Sequence, residues 1–142
     1  MPGKGHFLMG IRQHVDEWLA AHGETVIGWR RHFHTHPELS HQERHTTEFI
    51  TTVLREHGMT PTLFPTTGLM VDIGPGVGPR IAFRADLDAL PIEETAPVAF
   101  RSASPGVMHA CGHDVHTAIV LALACALNTY PLTVGLRFIF QP

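Results

Sequence analysis

Two adjoining stretches decide the fold: H-T-A-I-V-L-A-L-A-C-A-L-N, residues 116–128, and L-T-V-G-L-R-F-I-F, residues 132–140. The first is apolar almost all round, the pattern of a helix buried on most of its sides. Its apolar run, residues 118–127, is too short to span a bilayer, which takes ~20 residues. In the second, Leu132, Val134, Leu136, Phe138 and Phe140 alternate with other residues, the period of a strand. A buried helix feeding a strand needs further layers to bury both.

The residues before the helix supply them. Short apolar runs punctuated by Gly and Pro read as strands over residues 60–64, 69–73 and 80–85, with G-P-G-V-G-P at 74–79 as the turn between two of them. An irregular segment follows at 90–107. The first half is helical. Ile11, Val15, Trp18 and Leu19 recur at helical spacing, and a second amphipathic stretch covers residues 24–34 ahead of Pro37. A third helix has Ser40 and Glu43 as a capping box, a stripe of Phe49, Ile50, Val53 and Leu54, and Gly58 at its end. The predicted fold class is α/β, with N-terminal helices followed by part of a helix-covered mixed sheet. The last strand reaches Gln141 and Pro142 with no helix after it, so the domain is expected to continue.

Composition narrows the function. A chain of 142 residues with 44% hydrophobic content suits one domain or part of one. A net charge of -3 with scattered Lys and Arg gives no footprint for nucleic acid or an anionic membrane. Cys111 and Cys125 are too few for a disulfide framework, and the first twelve residues lack the ~7 to 15-residue apolar region of a signal peptide. A cytoplasmic protein is expected.

The chemistry concentrates in M-H-A-C-G-H-D-V-H, residues 108–116. His109, Cys111 and His113 fall at i, i+2 and i+4 and would share one face of an extended segment. Thiolate and imidazole are good ligands for a metal such as zinc, Asp114 and His116 could orient a ligand, and Gly112 allows a tight bend. A lone Cys-x-His pair arises by chance around buried thiols, but four candidate ligands in eight residues outweigh that. No second paired half-site is present.

R-A-D-L-D-A-L-P places Asp86 and Asp88 just after a strand, where ligand sites of open α/β sheets gather; a plain turn before Pro91 is the other reading. In R-R-H-F-H-T-H-P-E-L-S, His32, His34 and His36 alternate, yet on a helix i and i+2 point to different faces. His32 and His34 are therefore expected at an exposed polar helix end. Cys125 reads as a packed thiol, and Trp18 and Trp29 as packing in the helical layer. Motifs for nucleotide binding or serine catalysis are absent from the sequence.

Three motifs occur in order: R-R-H-F-H-T-H-P-E-L-S-H-Q-E at 30–43, F-R-A-D-L-D-A-L-P-I-E-E at 83–94 and P-G-V-M-H-A-C-G-H-D-V-H-T-A at 105–118. Together they resemble the aminoacylase and hippurate hydrolase family of metallopeptidases. The cysteine form of the metal motif is similar to the branch of N-acyl-amino-acid amidohydrolases and indole-acetyl-amino-acid hydrolases. The likeness runs over residues 26–142 and corresponds to the N-terminal part of the family's catalytic domain, a di-metal peptidase-like fold left incomplete here, without the inserted lid and dimerisation domain.

The resemblance implies Cys111 and His113 as metal ligands, Asp88 as the residue orienting a ligand, and Asp86, Asp114 and His116 around them. It implies a catalytic glutamate beyond Pro142. Two divalent metals are expected in the complete enzyme, zinc or manganese with cobalt as a third option, and only weak or partial binding in this chain. The implied reaction is hydrolysis of the amide bond of small-molecule N-acyl amino acids, by a homodimer when full-length, with the isolated chain inactive. Val115 stands where many relatives have glycine. The alternative is a non-catalytic metal-binding or interaction fragment, or the remnant of a truncated gene.

Overall fold

Ile11, Val15, Trp18, His22, Val26, Trp29 and Phe33 follow one another at steps of three and four, so a single helical stripe runs without a change of phase. In the computed structural model, which describes residues 4–142 and their side chains from Gly10 onward, this stripe belongs to one helix, α1 (Lys4–Thr35). The two helical stretches predicted from the sequence are thus continuous. His22 carries the stripe across the polar gap: its ring stacks on Trp18 at 4.2 Å, and its Nδ1 bonds the Trp18 carbonyl at 2.8 Å. Trp29 and Phe33 enter the core and Trp18 packs at its margin, while Leu19 stays 40% exposed. The reading of the first twelve residues as lacking a signal peptide falls partly on residues 1–3, outside the described residues.

Helix α2 (Arg44–Glu56) forms where predicted, but its start has a different cause. Glu43 is the N-cap residue and makes no capping bond; its carboxylate is buried and accepts from the Thr67 hydroxyl at 2.6 Å. The free N–H groups go instead to Glu38, whose two oxygens accept from His45 N at 3.1 Å and Thr46 N at 2.8 Å. The predicted Ser40–Glu43 box is therefore replaced by a carboxylate arriving from the preceding loop. At the other end Gly58, at φ 77, lets Gly58 N reach Arg55 O and Met59 N reach Leu54 O, which closes the helix in a Schellman motif.

The strands are β1 (Thr62–Leu63), β2 (Leu69–Ile73), β3 (Arg80–Asp86) and β4 (Gly135–Gln141), with α3 (His113–Asn128) between the last two. They form one mixed sheet in the order β1-β2-β4-β3, antiparallel except for the parallel pair β3·β4. The 74–79 turn therefore joins strands that are not neighbours, since β4 inserts between them. Register aligns Leu69, Val71 and Ile73 with Phe140, Phe138 and Leu136, and these with Ala85, Phe83 and Ile81, so one face is continuously apolar. Helix α3 lies on that face and α1 packs on α3. Cys125 is fully buried there, as predicted.

The opposite face is mixed, with Met70, Ile139 and Ala82 beside Asp72, Arg84 and Arg137. Arg137 forks onto both oxygens of Asp72 at 2.7 and 2.8 Å. Residues 91–107 contain no helix or strand, and the neck of this loop is tied by reciprocal bonds between Leu90 and Met108. Among the described residues no helix is long and apolar enough to cross a membrane.

Candidate metal centre

The parallel pair β3·β4 brings the carboxyl ends of both strands together, with Leu87 N bonded to Gln141 O at 2.8 Å. Asp88 follows β3 directly, and α3 begins opposite it. The intervening residues 109–112 are not extended, as the even spacing of His109, Cys111 and His113 suggested. They turn, and Gly112 takes φ 80 as the N-cap of α3. A left-handed residue there ends the extended run on which a shared face would depend.

His113 is the best defined of them. Its Nδ1 sits 3.0 Å from Asp88 Oδ1 and 2.9 Å from the Asp88 carbonyl, while its Nε2 has no hydrogen-bond partner among the described residues. A carboxylate that fixes one ring nitrogen and leaves the other free is the usual setting of a metal-bound histidine. Cys111 is an exposed free thiol on the turn. His116 is exposed, its ring 6.1 Å from that of His113. Asp86 points elsewhere, since its carboxylate pairs with Arg84 and only its carbonyl meets α3, through Thr117.

Asp114 is buried and faces α1. Its Oδ2 lies 2.8 Å from His34 Nδ1 and 2.9 Å from Arg30 Nε, the latter an ion pair whose N–H is not aligned for a hydrogen bond. His34 Nε2 in turn meets Glu94 Oε1 at 2.9 Å. His34 is thus 6% exposed, against the expectation of an exposed helix end. His32 also is only half-exposed, stacked on Phe49 at 4.3 Å; burial and the neighbouring His36 hold its pKa below the ordinary value. Of the three alternating histidines, His34 faces α3 while His32 and His36 share another face, their rings 4.7 Å apart. Glu94 has its pKa lowered chiefly by the His34 hydrogen bond.

The residue sequence reasoning underrated is His109. It is 5% exposed, and neither ring nitrogen has a hydrogen-bond partner. Burial lowers its pKa to about 4, with Asp114 and Asp88 pulling the other way. A buried imidazole without partners is costly, and in native proteins such groups mark sites whose other half is a ligand or ion. His34 and Glu94 also escaped the sequence reading; the one available signal was Asp114 itself, a carboxylate in an apolar helix that needs a buried partner.

Among the described residues no three His, Cys, Asp or Glu side chains converge to hold a metal. The donor set present, a free thiol and an imidazole held at its far nitrogen, fits part of a transition-metal sphere. A cavity of about 820 Å³ lies elsewhere, between α1 and α2 against Trp29, His32, His36 and Phe49. The two cysteines should separate cleanly in the native protein. Burial pushes the Cys125 thiol up to about 12. Iodoacetamide at neutral pH is expected to label Cys111 alone, Cys125 reacting only after unfolding; equal labelling in mass spectra of tryptic peptides would contradict the burial of α3.

Residues 82–142 match peptidase family M20/M25/M40. This stretch resembles an M20-type peptidase. The M20 likeness extends upstream: an N-acyl-L-amino acid amidohydrolase of Geobacillus stearothermophilus is 47% identical over 135 residues, 92% of this chain and 35% of that protein. A Rhodococcus jostii (strain RHA1) protein bearing the name of a glutamate–cysteine ligase is 49% identical over 120 residues, 84% of this chain but 15% of that one. A Bacillus subtilis dinuclear metal-binding peptidase of the M20 family superposes with a TM-score of 0.82 at 45% identity, covering 87% of this chain and 36% of that one. The chain spans about a third of the M20 peptidase and of the amidohydrolase it matches.

Proposed function

We propose that these residues supply one wall of a two-metal site that hydrolyses the amide bond of N-acyl amino acids, as the N-terminal part of the catalytic domain. The observation that carries this is His113, whose Nδ1 is held by Asp88 and whose Nε2 is free, next to the unpaired thiol of Cys111. The amidohydrolase relative and the dinuclear M20 peptidase support the reaction class and the two metals. Cys111 and His113 would hold metal, zinc being favoured by the soft thiolate, and the bound ion would polarise an amide carbonyl and acidify a water. Asp88 keeps His113 in the tautomer that offers Nε2. Two protein ligands close neither site, so the 142-residue chain binds metal weakly and does not turn over. The general base in this reading is a glutamate beyond Pro142, and the pairing of Leu87 with Gln141 puts the end of β4 alongside the Asp88 strand end.

Zinc titrated into the chain is expected to slow alkylation of Cys111, and His113→Ala to weaken that protection at least ~10-fold. N-acetyl amino acids should remain uncleaved by the chain, whereas Cys111→Ser or His113→Ala in the full-length protein should abolish hydrolysis. A Cys111 thiol whose reactivity ignores zinc, or full hydrolytic activity in either variant, would remove that residue from the site.

A further inference from the structure

We propose that Glu94, His34 and Asp114 form a positioning relay that fixes the first turn of α3, and with it the placement of Cys111 and His113. The relay joins three separate parts of the chain: the 91–107 loop, the end of α1 and the start of α3. His34 bonds Asp114 Oδ2 through Nδ1 at 2.8 Å and Glu94 Oε1 through Nε2 at 2.9 Å. Carboxylates only accept, so the His34 ring is the donor wherever these contacts are hydrogen bonds, and Arg30 Nη2 lies 3.4 Å from the same Nδ1. All three side chains are buried. Ser102 N donates to the second oxygen of Glu94, which anchors the outer end of the relay in the loop.

Burying such charges is a poor route to stability, since apolar replacements of similar volume are often neutral or stabilising. What the arrangement supplies is direction. The N-cap of α3 is Gly112, which has no side chain to satisfy the first N–H groups, and Val115 N reaches only the Gly112 carbonyl, at 3.1 Å, which also accepts the first regular helical bond from His116 N. A helix start of this kind frays unless it is held from outside. Three side chains hold it, Arg30 being the third, with Nε 2.9 Å from Asp114 Oδ2. Asp88 grips His113, and His34 grips Asp114, the next residue, from the opposite side of the turn. Glu94 keeps the His34 ring from rotating about the Asp114 contact, and an acidic Asp114 in the first turn complements the helix dipole. Neither Glu94 nor His34 is within contact of Cys111 or His113, so their action on the metal ligands passes through Asp114.

The consequence for metal rests on the function proposed above, and two readouts keep them apart. The first needs no metal: amide hydrogen exchange of Val115, His116 and Thr117 compared with Val120 to Leu127 in the same helix. Glu94→Gln and His34→Gln are each expected to speed exchange in the first turn about 10-fold while the rest of α3 is unchanged, and Glu94→Asp to restore part of the protection. The double variant should be no worse than His34→Gln alone, because both act through one link. The second readout is zinc protection of Cys111, whose half-protecting concentration should rise about 10-fold or more. First-turn exchange that is unchanged, or that rises equally throughout α1 and α3, overturns the relay. Zinc without effect on Cys111 of the unsubstituted chain overturns the metal reading instead, and the exchange result still decides the relay.

Discussion

Asp114→Ala is expected to destabilise the chain by about 3–5 kcal/mol, the cost of breaking a buried ion pair by removing one partner. Asp114 is 1% exposed and is the only acid in the first turn of α3. Its removal leaves Arg30 and the buried His34 ring without the carboxylate that faces them and opens a cavity between α1 and α3. Arg30 moderates the loss, since its side chain is 31% exposed and can turn to solvent, which favours the lower end of the range. Asp72→Ala provides the control. Asp72 accepts two hydrogen bonds from Arg137 and lies near Arg80, so it has at least as many cationic neighbours, yet it stands on the open face of the sheet with its side chain 34% exposed. Exposed pairs of this kind contribute about 0–1 kcal/mol. Urea unfolding of the two variants should therefore differ sharply, with the midpoint falling by about 2 M for Asp114→Ala and by a few tenths for Asp72→Ala at an ordinary m-value of about 2 kcal/mol/M. Similar midpoints would mean that Asp114 is solvated and that the α1–α3 contact is not built around it.

The contrast between those two aspartates also marks how far the sequence could be read. Periodicity reports which face of an element is buried, and it located β2 at residues 69–73 and most of α3 because those runs are regular. It split α1 at a polar gap that His22 bridges by stacking on Trp18, a side-chain contact that a hydrophobic pattern does not register. It assigned the α2 cap to Ser40 because the box has a local signature, whereas Glu38 reaches the same N–H groups from a loop. The larger misreading was His34. Its polar surroundings in sequence are those of an exposed helix end, and its burial follows from Asp114 and Glu94, 80 and 60 residues away. Motif resemblance proposed Cys111, His113 and Asp88 without geometry, and the structure adds that Asp88 touches His113 while Asp86 turns to Arg84. Residue types and order carried that information; the direction of each side chain did not follow until Gly112 was seen to break the turn.

Acidification from pH 6.5 to 4 is expected to remove about 3 kcal/mol of stability through His109 alone. In the unfolded chain this imidazole titrates near its ordinary 6.5, and in the folded protein burial lowers it to about 4. Between those values the unfolded state binds a proton that the folded state refuses, so the free energy of unfolding falls as pH falls, by about 1.4 kcal/mol for each pH unit of the window. The contribution is complete above pH 6.5 and gone below about 4. Glu94, whose pKa is also lowered, acts with the same sign but further down, from its ordinary 4.5 toward lower pH, so the two groups separate on the pH axis. Unfolding free energy measured in urea at half-unit steps from pH 7.5 to 4 should therefore slope downward across this range. His109→Phe, which fills the space without a titratable ring, should flatten the slope above pH 4.5 and cost little at pH 7.5, because the ring nitrogens have no hydrogen-bond partners to lose. A slope unaltered by that substitution would show that His109 titrates in contact with water, and its two empty ring nitrogens would then no longer argue for a missing ligand.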